Sequence, residues 1–123
     1  MNLVDSSGWL EYFADGRNAE FFSAPIEDTG NCIISSINIY EVFRKLHGER
    51  NEQTALQAVA VMHQRRIQPV DERVALSAAK ISHDLRLPMA DSIILATARL
   101  YEAVLWTQDA DFKGIEGVRY IKK

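Results

Sequence analysis

The stretch NLVDSSGWLEYF, residues 2–13, begins with a short apolar run, Asn2 to Asp5, and passes through Ser6, Ser7 and Gly8 into the bulky WLEYF. That succession reads as strand, cap and helix. Working outward, Asp15-Gly16 breaks the pattern, and a second short helix over Arg17 to Ala24 is expected to stop before Pro25. After a turn at Gly30, NCIIS (Asn31 to Ser35) is β-branched in its centre and reads as a second, buried strand. Ile37, Tyr40, Glu41, Phe43, Arg44 and Leu46 keep helical spacing to about Gly48, a natural C-cap. A third long helix is expected from Glu52 to Arg66. IQPV (Ile67 to Val70) reads as a strand whose Pro69 demands an edge position.

Asp71 to Leu85 is helical again, with Val74, Ala78, Ile81 and Leu85 inward. Beyond Leu87, PMADSIILATA (Pro88 to Ala98) opens a helix that runs to about Glu102. AVLWT (Ala103 to Thr107) is a strand, QDADFKGIEG a loop, and VRYIK (Val118 to Lys122) a last strand. Strands alternating with helices predict an α/β fold with a parallel sheet covered on both faces. Ligands of such sheets sit beyond the carboxyl ends of the strands, where the strand order reverses.

The chain has 123 residues, 47% of them hydrophobic, which suits one domain over residues 1–123 with a core of its own. Its single cysteine, Cys32, lies in an apolar run and reads as a buried, inert thiol in a reducing compartment. No segment reaches the ~18 apolar residues that a membrane span needs, and no basic, then apolar leader precedes the first strand. A cytoplasmic protein is expected. With 14 Lys+Arg against 17 Asp+Glu the net charge is −3, which excludes the strongly basic footprint of a passive nucleic-acid binder.

The informative residues are acids at strand exits. Asp5 closes the first strand, Glu41 lies in the helix after the second, Asp109 follows AVLWT, and Asp91 opens the helix before it. Each has an ordinary use: Asp5 as an N-cap, Glu41 in a capping box with Asn38, Asp91 on a helix dipole behind Pro88, and Asp109 with Asp111 as turn formers. Gathered at one sheet edge, they would repel one another and call for a cation. Oxygen-only ligands suit Mg²⁺ or Mn²⁺. His47, His63 and His83 show no ligand-like spacing and read as solvated helix positions. Ser6-Ser7 lacks the glycines of a nucleophile elbow, and no glycine-rich phosphate loop is present.

Taken in order, LVDSSGWLEYF, ISSINIYEV around Glu41, PMADSIILATA around Asp91 and LWTQDADF resemble the motifs of the PIN-domain nucleases, and within them the small VapC-type toxins of prokaryotic toxin–antitoxin pairs. The resemblance spans nearly the whole chain. It implies a three-layer α/β/α sandwich on a mostly parallel sheet of four or five strands. By the same resemblance Asp5, Glu41, Asp91 and Asp109 fall on the family's acidic quartet, with Asp111 an adjacent candidate for the fourth place. Ser6 and Thr107 occupy positions where the family often has a hydroxyl near the site.

The activity this implies is divalent-metal-dependent endoribonuclease action, with Asp5 and Asp91 as main ligands. Glu41 would be a ligand directly or through water, and Asp109 would hold a second ion or the attacking water. The implied substrate is single-stranded or loop RNA. Arg44, one turn after Glu41, and Arg86, near Asp91 in sequence, are the candidate phosphate contacts. The implied partners are an antitoxin protein and a second copy of the chain, in a groove drawing on Trp9, Tyr12, Phe13, Phe21 and Phe22. Two other classes compete: a non-catalytic PIN-like module that binds RNA or protein without cutting, and a metal-dependent phosphatase, for which Asp5-Ser6-Ser7 lacks the second aspartate.

Overall fold

Asp5 turns the first strand into a helix. Its backbone is extended, at φ −62° and ψ 156°, and its carboxylate accepts the Ser6 N–H at 2.8 Å, satisfying one of the donors a helix start leaves free. The computed structural model describes residues 1–123. It contains β1 (Asn2–Val4), β2 (Cys32–Ser35), β3 (Arg66–Gln68), β4 (Val104–Thr107) and β5 (Val118–Tyr120). Between them run α1 (Ser6–Phe13), α2 (Ala19–Glu27), α3 (Ser36–Glu49), α4 (Glu52–Met62), α5 (Glu72–Leu85) and α6 (Met89–Leu100). No helix is long and apolar enough to cross a membrane.

The strands form one all-parallel sheet in the order β3-β2-β1-β4-β5. Side chains alternate across its two faces, so neighbouring residues enter different cores. Leu3, Ile33 and Leu105 join Val74, Ala78 and Ile81 of α5 and Ile94, Leu95 and Ala98 of α6. Val4, Cys32 and Ile34 join Trp9, Phe22, Ile26, Val42 and Met62 from α1 to α4. The result is the expected α/β/α sandwich with five strands. Burial pushes the Cys32 thiol up to about 11, in keeping with an inert packing role.

Gly8 lets α1 settle onto this second core. A Cβ there would lie 2.6 Å from ring carbons of Phe22 and 2.6 Å from Val4 Cγ1.

The chain lays β2 and β3 on one side of β1 and then crosses to lay β4 and β5 on the other. The strand order therefore reverses between β1 and β4, and their carboxyl ends carry Asp5 and Thr107. β3 is an edge strand, as Pro69 requires, and ends at Gln68 just before it.

Several boundaries differ from the sequence reading. α2 continues through Pro25 instead of stopping before it, because Pro25 and Ile26 are buried and the Arg65 guanidinium donates to the Ile26 carbonyl at 2.8 and 3.1 Å, closing the helix end from outside. Gly48 lies inside α3, whose C-cap is Arg50, donating its N–H to the Leu46 carbonyl at 2.8 Å. α4 stops at Met62 rather than Arg66, since Arg66 is drawn into the ladder opposite Ile33. Leu85 is exposed, not inward. α6 ends at Leu100, short of Glu102.

Candidate active site

Four acids from four parts of the chain meet at the reversal point. Asp5 stands at the end of β1, Glu41 on α3, Asp91 in the first turn of α6 and Asp109 just past β4, and all four line one cleft of about 890 Å³.

Asp5 is held most firmly. It is 3% exposed; Oδ1 accepts the Ser6 N–H, while Oδ2 accepts the hydroxyls of Ser7 and Thr107, each at 2.8 Å. Burial pushes its pKa up, the Ser7 and Thr107 hydrogen bonds pull it back, and the charges of Glu41 and Asp109 push it up further. Asp5 therefore both caps α1 and lines the cleft.

Glu41 does not join a capping box with Asn38. That box belongs to Ser35, whose hydroxyl accepts the Ile37 N–H at 3.3 Å while Asn38 Oδ1 accepts the Ser35 N–H at 3.0 Å. Glu41 is left for the cleft, where Oε1 accepts the Ser6 hydroxyl at 2.7 Å. Asn38 Nδ2 donates in turn to Ser6 Oγ at 2.9 Å. A buried relay thus runs from the end of β2 through Asn38 and Ser6 to Glu41.

Thr107 works on two acids. It donates to Asp5 and accepts the N–H of Asp109 at 2.9 Å. Asp109 Oδ1 accepts the Asp111 N–H at 2.9 Å and caps the single helical turn Ala110–Phe112, so its turn-forming role is also real.

Asp91 is half-buried. Burial first, then the charges of Asp109 and Asp5, then Asp111, push its pKa up to about 7. Asp91 has no ion-pair partner; the one ion pair in the chain joins Lys45 to Glu49 at 2.9 Å. The donor chemistry fits a hard divalent cation: the carboxylate oxygens of Asp91, Asp109 and Asp111 lie within 4.8 Å of one another with no nitrogen or sulfur ligand among them. Asp5 lies beside this trio rather than in it, and Asp111 is its exposed member.

The remaining residues fall as follows. Arg44 lines the cleft, whereas Arg86 caps α5 in the left-handed region at φ 56° and does not, because the turn through Leu87 and Pro88 separates it from Asp91. Phe13 lines the cleft, Trp9 and Phe22 are core, and all three histidines are exposed. Asn38 and Ser7 have no site role in the sequence reading; the spacing of Asn38 predicts a capping partner, which is Ser35 rather than Glu41.

The PIN domain model matches residues 3–118. No curated protein sequence matches the chain. Among solved structures, a toxin–antitoxin complex from Klebsiella pneumoniae is similar, with 28% identity, a TM-score of 0.80 and coverage of 97% of this chain and 96% of that one. VapC20 of Mycobacterium tuberculosis, a Sarcin-Ricin loop cleaving toxin, shares the fold at 18% identity and TM-score 0.76, over 94% of this chain and 95% of that one. DNA-bound VapBC from Salmonella typhimurium shares it at 17% identity and TM-score 0.76, over 99% and 98%. With a sheet, a strand reversal and an acidic cleft of this kind, and a family match over nearly its full length, the chain belongs to the PIN-domain family.

Proposed function

We propose that this chain is a toxin of the VapC type and cuts RNA phosphodiester bonds with the help of a divalent cation, Mg²⁺ or Mn²⁺. The single observation that carries the reading is the convergence of Asp5, Glu41, Asp91 and Asp109 on one cleft, none of them in an ion pair. Repulsion on this scale is relieved when a cation binds.

Asp91 and Asp109 would bind the ion directly, with Asp111 or Asp5 completing the set according to which oxygens the ion takes from their present hydrogen bonds. A bound ion supplies Lewis acidity toward the scissile phosphate and acidifies water. The protein's own part is orientation. Thr107 fixes Asp5 against Asp109, and Ser6 aims Glu41 so that its second oxygen is free to accept a proton from water. Arg44 supplies a positive charge for a backbone phosphate at the cleft rim. Likeness to toxin–antitoxin complexes supports an antitoxin as partner, and the apolar wall of the cleft at Leu10, Phe13, Leu46 and Val61 suits the apolar face of a helix. A second copy of the chain completes the assembly in this reading.

The test is incubation of labelled RNA with the purified chain and Mg²⁺ or Mn²⁺, beside Asp5→Asn and Asp91→Asn. Cleavage that needs the metal and disappears in both variants is expected. RNA binding without cleavage would assign the chain instead to the non-catalytic modules, and turnover of small phosphomonoesters to the phosphatases.

A further inference from the structure

The helix that supplies Glu41 also carries a strip of rings. Tyr40, Phe43 and His47 recur at i, i+3 and i+7 along α3, with Arg44 one turn after Tyr40 on the same side. Tyr40 is 61% exposed although it precedes a site acid directly. It borders two cavities, the acidic cleft and a neighbouring groove of about 760 Å³ lined also by Phe43 and His47, whose ring centroids lie 5.6 Å apart. Arg44 borders both cavities as well and has no carboxylate partner, whereas Lys45 beside it is tied to Glu49.

A single ring in water means little. Three rings on one helical face, interrupted by an unpaired guanidinium and continuous with a cleft of carboxylates, match the chemistry of an unpaired nucleic-acid strand. Such a strand offers base faces for stacking and phosphates for arginine, and a duplex hides the base faces. We propose that Tyr40 is the stacking platform for a nucleobase next to the scissile phosphate, with Arg44 on an adjacent phosphate and the Phe43 and His47 rings continuing the track. This assignment rests on the nuclease reading above and adds to it the residues of this chain that would hold the unpaired strand beside the cut.

The experiment reads binding apart from cleavage. A 12-nucleotide single-stranded RNA carrying one 2-aminopurine, and the same sequence locked in a hairpin stem, are titrated with the chain in EDTA at low salt. Single-strand binding with quenching of the 2-aminopurine is expected for the parent and for Tyr40→Phe, which keeps the ring. Tyr40→Leu, which keeps apolar bulk without a π-face, should lose the quenching and weaken binding by about 5- to 100-fold. Arg44→Gln should weaken it and reduce the logarithmic salt slope by about 1.

The proposal is overturned by equal quenching and affinity in Tyr40→Leu, by absence of quenching with the parent, or by preference for the stem. It is also overturned if Tyr40→Leu changes the molar mass in sedimentation while RNA affinity stays constant, which would assign the strip to a protein contact. Because no divalent ion is present, failure of the chain to cut RNA in the Mn²⁺ assay would remove the nuclease reading without producing any of these results.

Discussion

The Thr107 hydroxyl lies 2.8 Å from Asp5 Oδ2 and 2.9 Å from the Asp109 N–H, so one side chain ties the end of β1 to the loop beyond β4. Both acids owe their orientation to it. Thr107→Val keeps the shape and removes both hydrogen bonds. Loss of an outer-shell partner of this kind should cost about 10- to 100-fold in divalent-ion affinity or cleavage rate. Calorimetric Mn²⁺ titration measures the first, and an unchanged affinity would contradict the role assigned to Thr107.

Asn38 holds the other side of the cleft. It is fully buried, accepts from the Ser35 N–H and donates to Ser6 Oγ, which in turn donates to Glu41. Asn38→Ala leaves a buried N–H without its acceptor, and a loss of about 1–3 kcal/mol in urea denaturation is expected. The cleavage rate should fall beyond what the unfolded fraction explains, since Glu41 loses its aim. A variant that is destabilised but fully active per folded molecule would restrict Asn38 to capping.

The metal-free chain should be least stable where its acids are charged. Burial and neighbouring carboxylates push Asp91 up to about 7 from an ordinary 3.8, so the folded state holds this proton more tightly than the unfolded state does. Stability is therefore present at low pH and is lost as pH rises from 3.8 through about 7. In EDTA the Tm should be higher at pH 5 than at pH 8, and Asp91→Asn, with no proton to lose, should flatten much of that slope. Some slope remains from Asp5, which is shifted the same way. Mn²⁺ should raise the Tm more at pH 8 than at pH 5. Identical pH profiles for parent and Asp91→Asn would show that the cleft does not strain this carboxylate.

Gly8→Ala tests the packing beneath the site. The new methyl meets Phe22 and Val4 at 2.6 Å, inside contact distance, and overpacking of this kind costs about 1–3 kcal/mol. Chemical denaturation measures the loss. A neutral result would mean that α1 moves away from the sheet without cost.

The alternation of strand and helix is legible in the sequence where a short apolar strand is followed at once by a cap, as in β1 and β2. NLVD then SS, and CIIS then SIN, say this in residues that touch locally. What a local reading misses depends on distant groups. α2 runs past Pro25 because Arg65, on the far side of β2, α3 and α4, closes it at Ile26. Glu41 shows a capping spacing to Asn38, yet Ser35 is already the better partner, since it sits at the helix start itself. Arg86 is five residues from Asp91 in sequence, but a proline turn sends it elsewhere. Asp111 joins the tight acidic trio with Asp91 and Asp109 while Asp5 stands aside, a distinction of side-chain direction that no spacing carries.

The most direct test of the central claim is a crystal of the chain grown with Mn²⁺ and measured for anomalous scattering. A peak within coordination distance of Asp91 and Asp109, in contact with Asp5 or Asp111 and absent from Asp91→Asn, is the expected result. No peak in that cleft at saturating Mn²⁺, in a chain that still cuts RNA, would contradict the assignment of these acids to a metal centre.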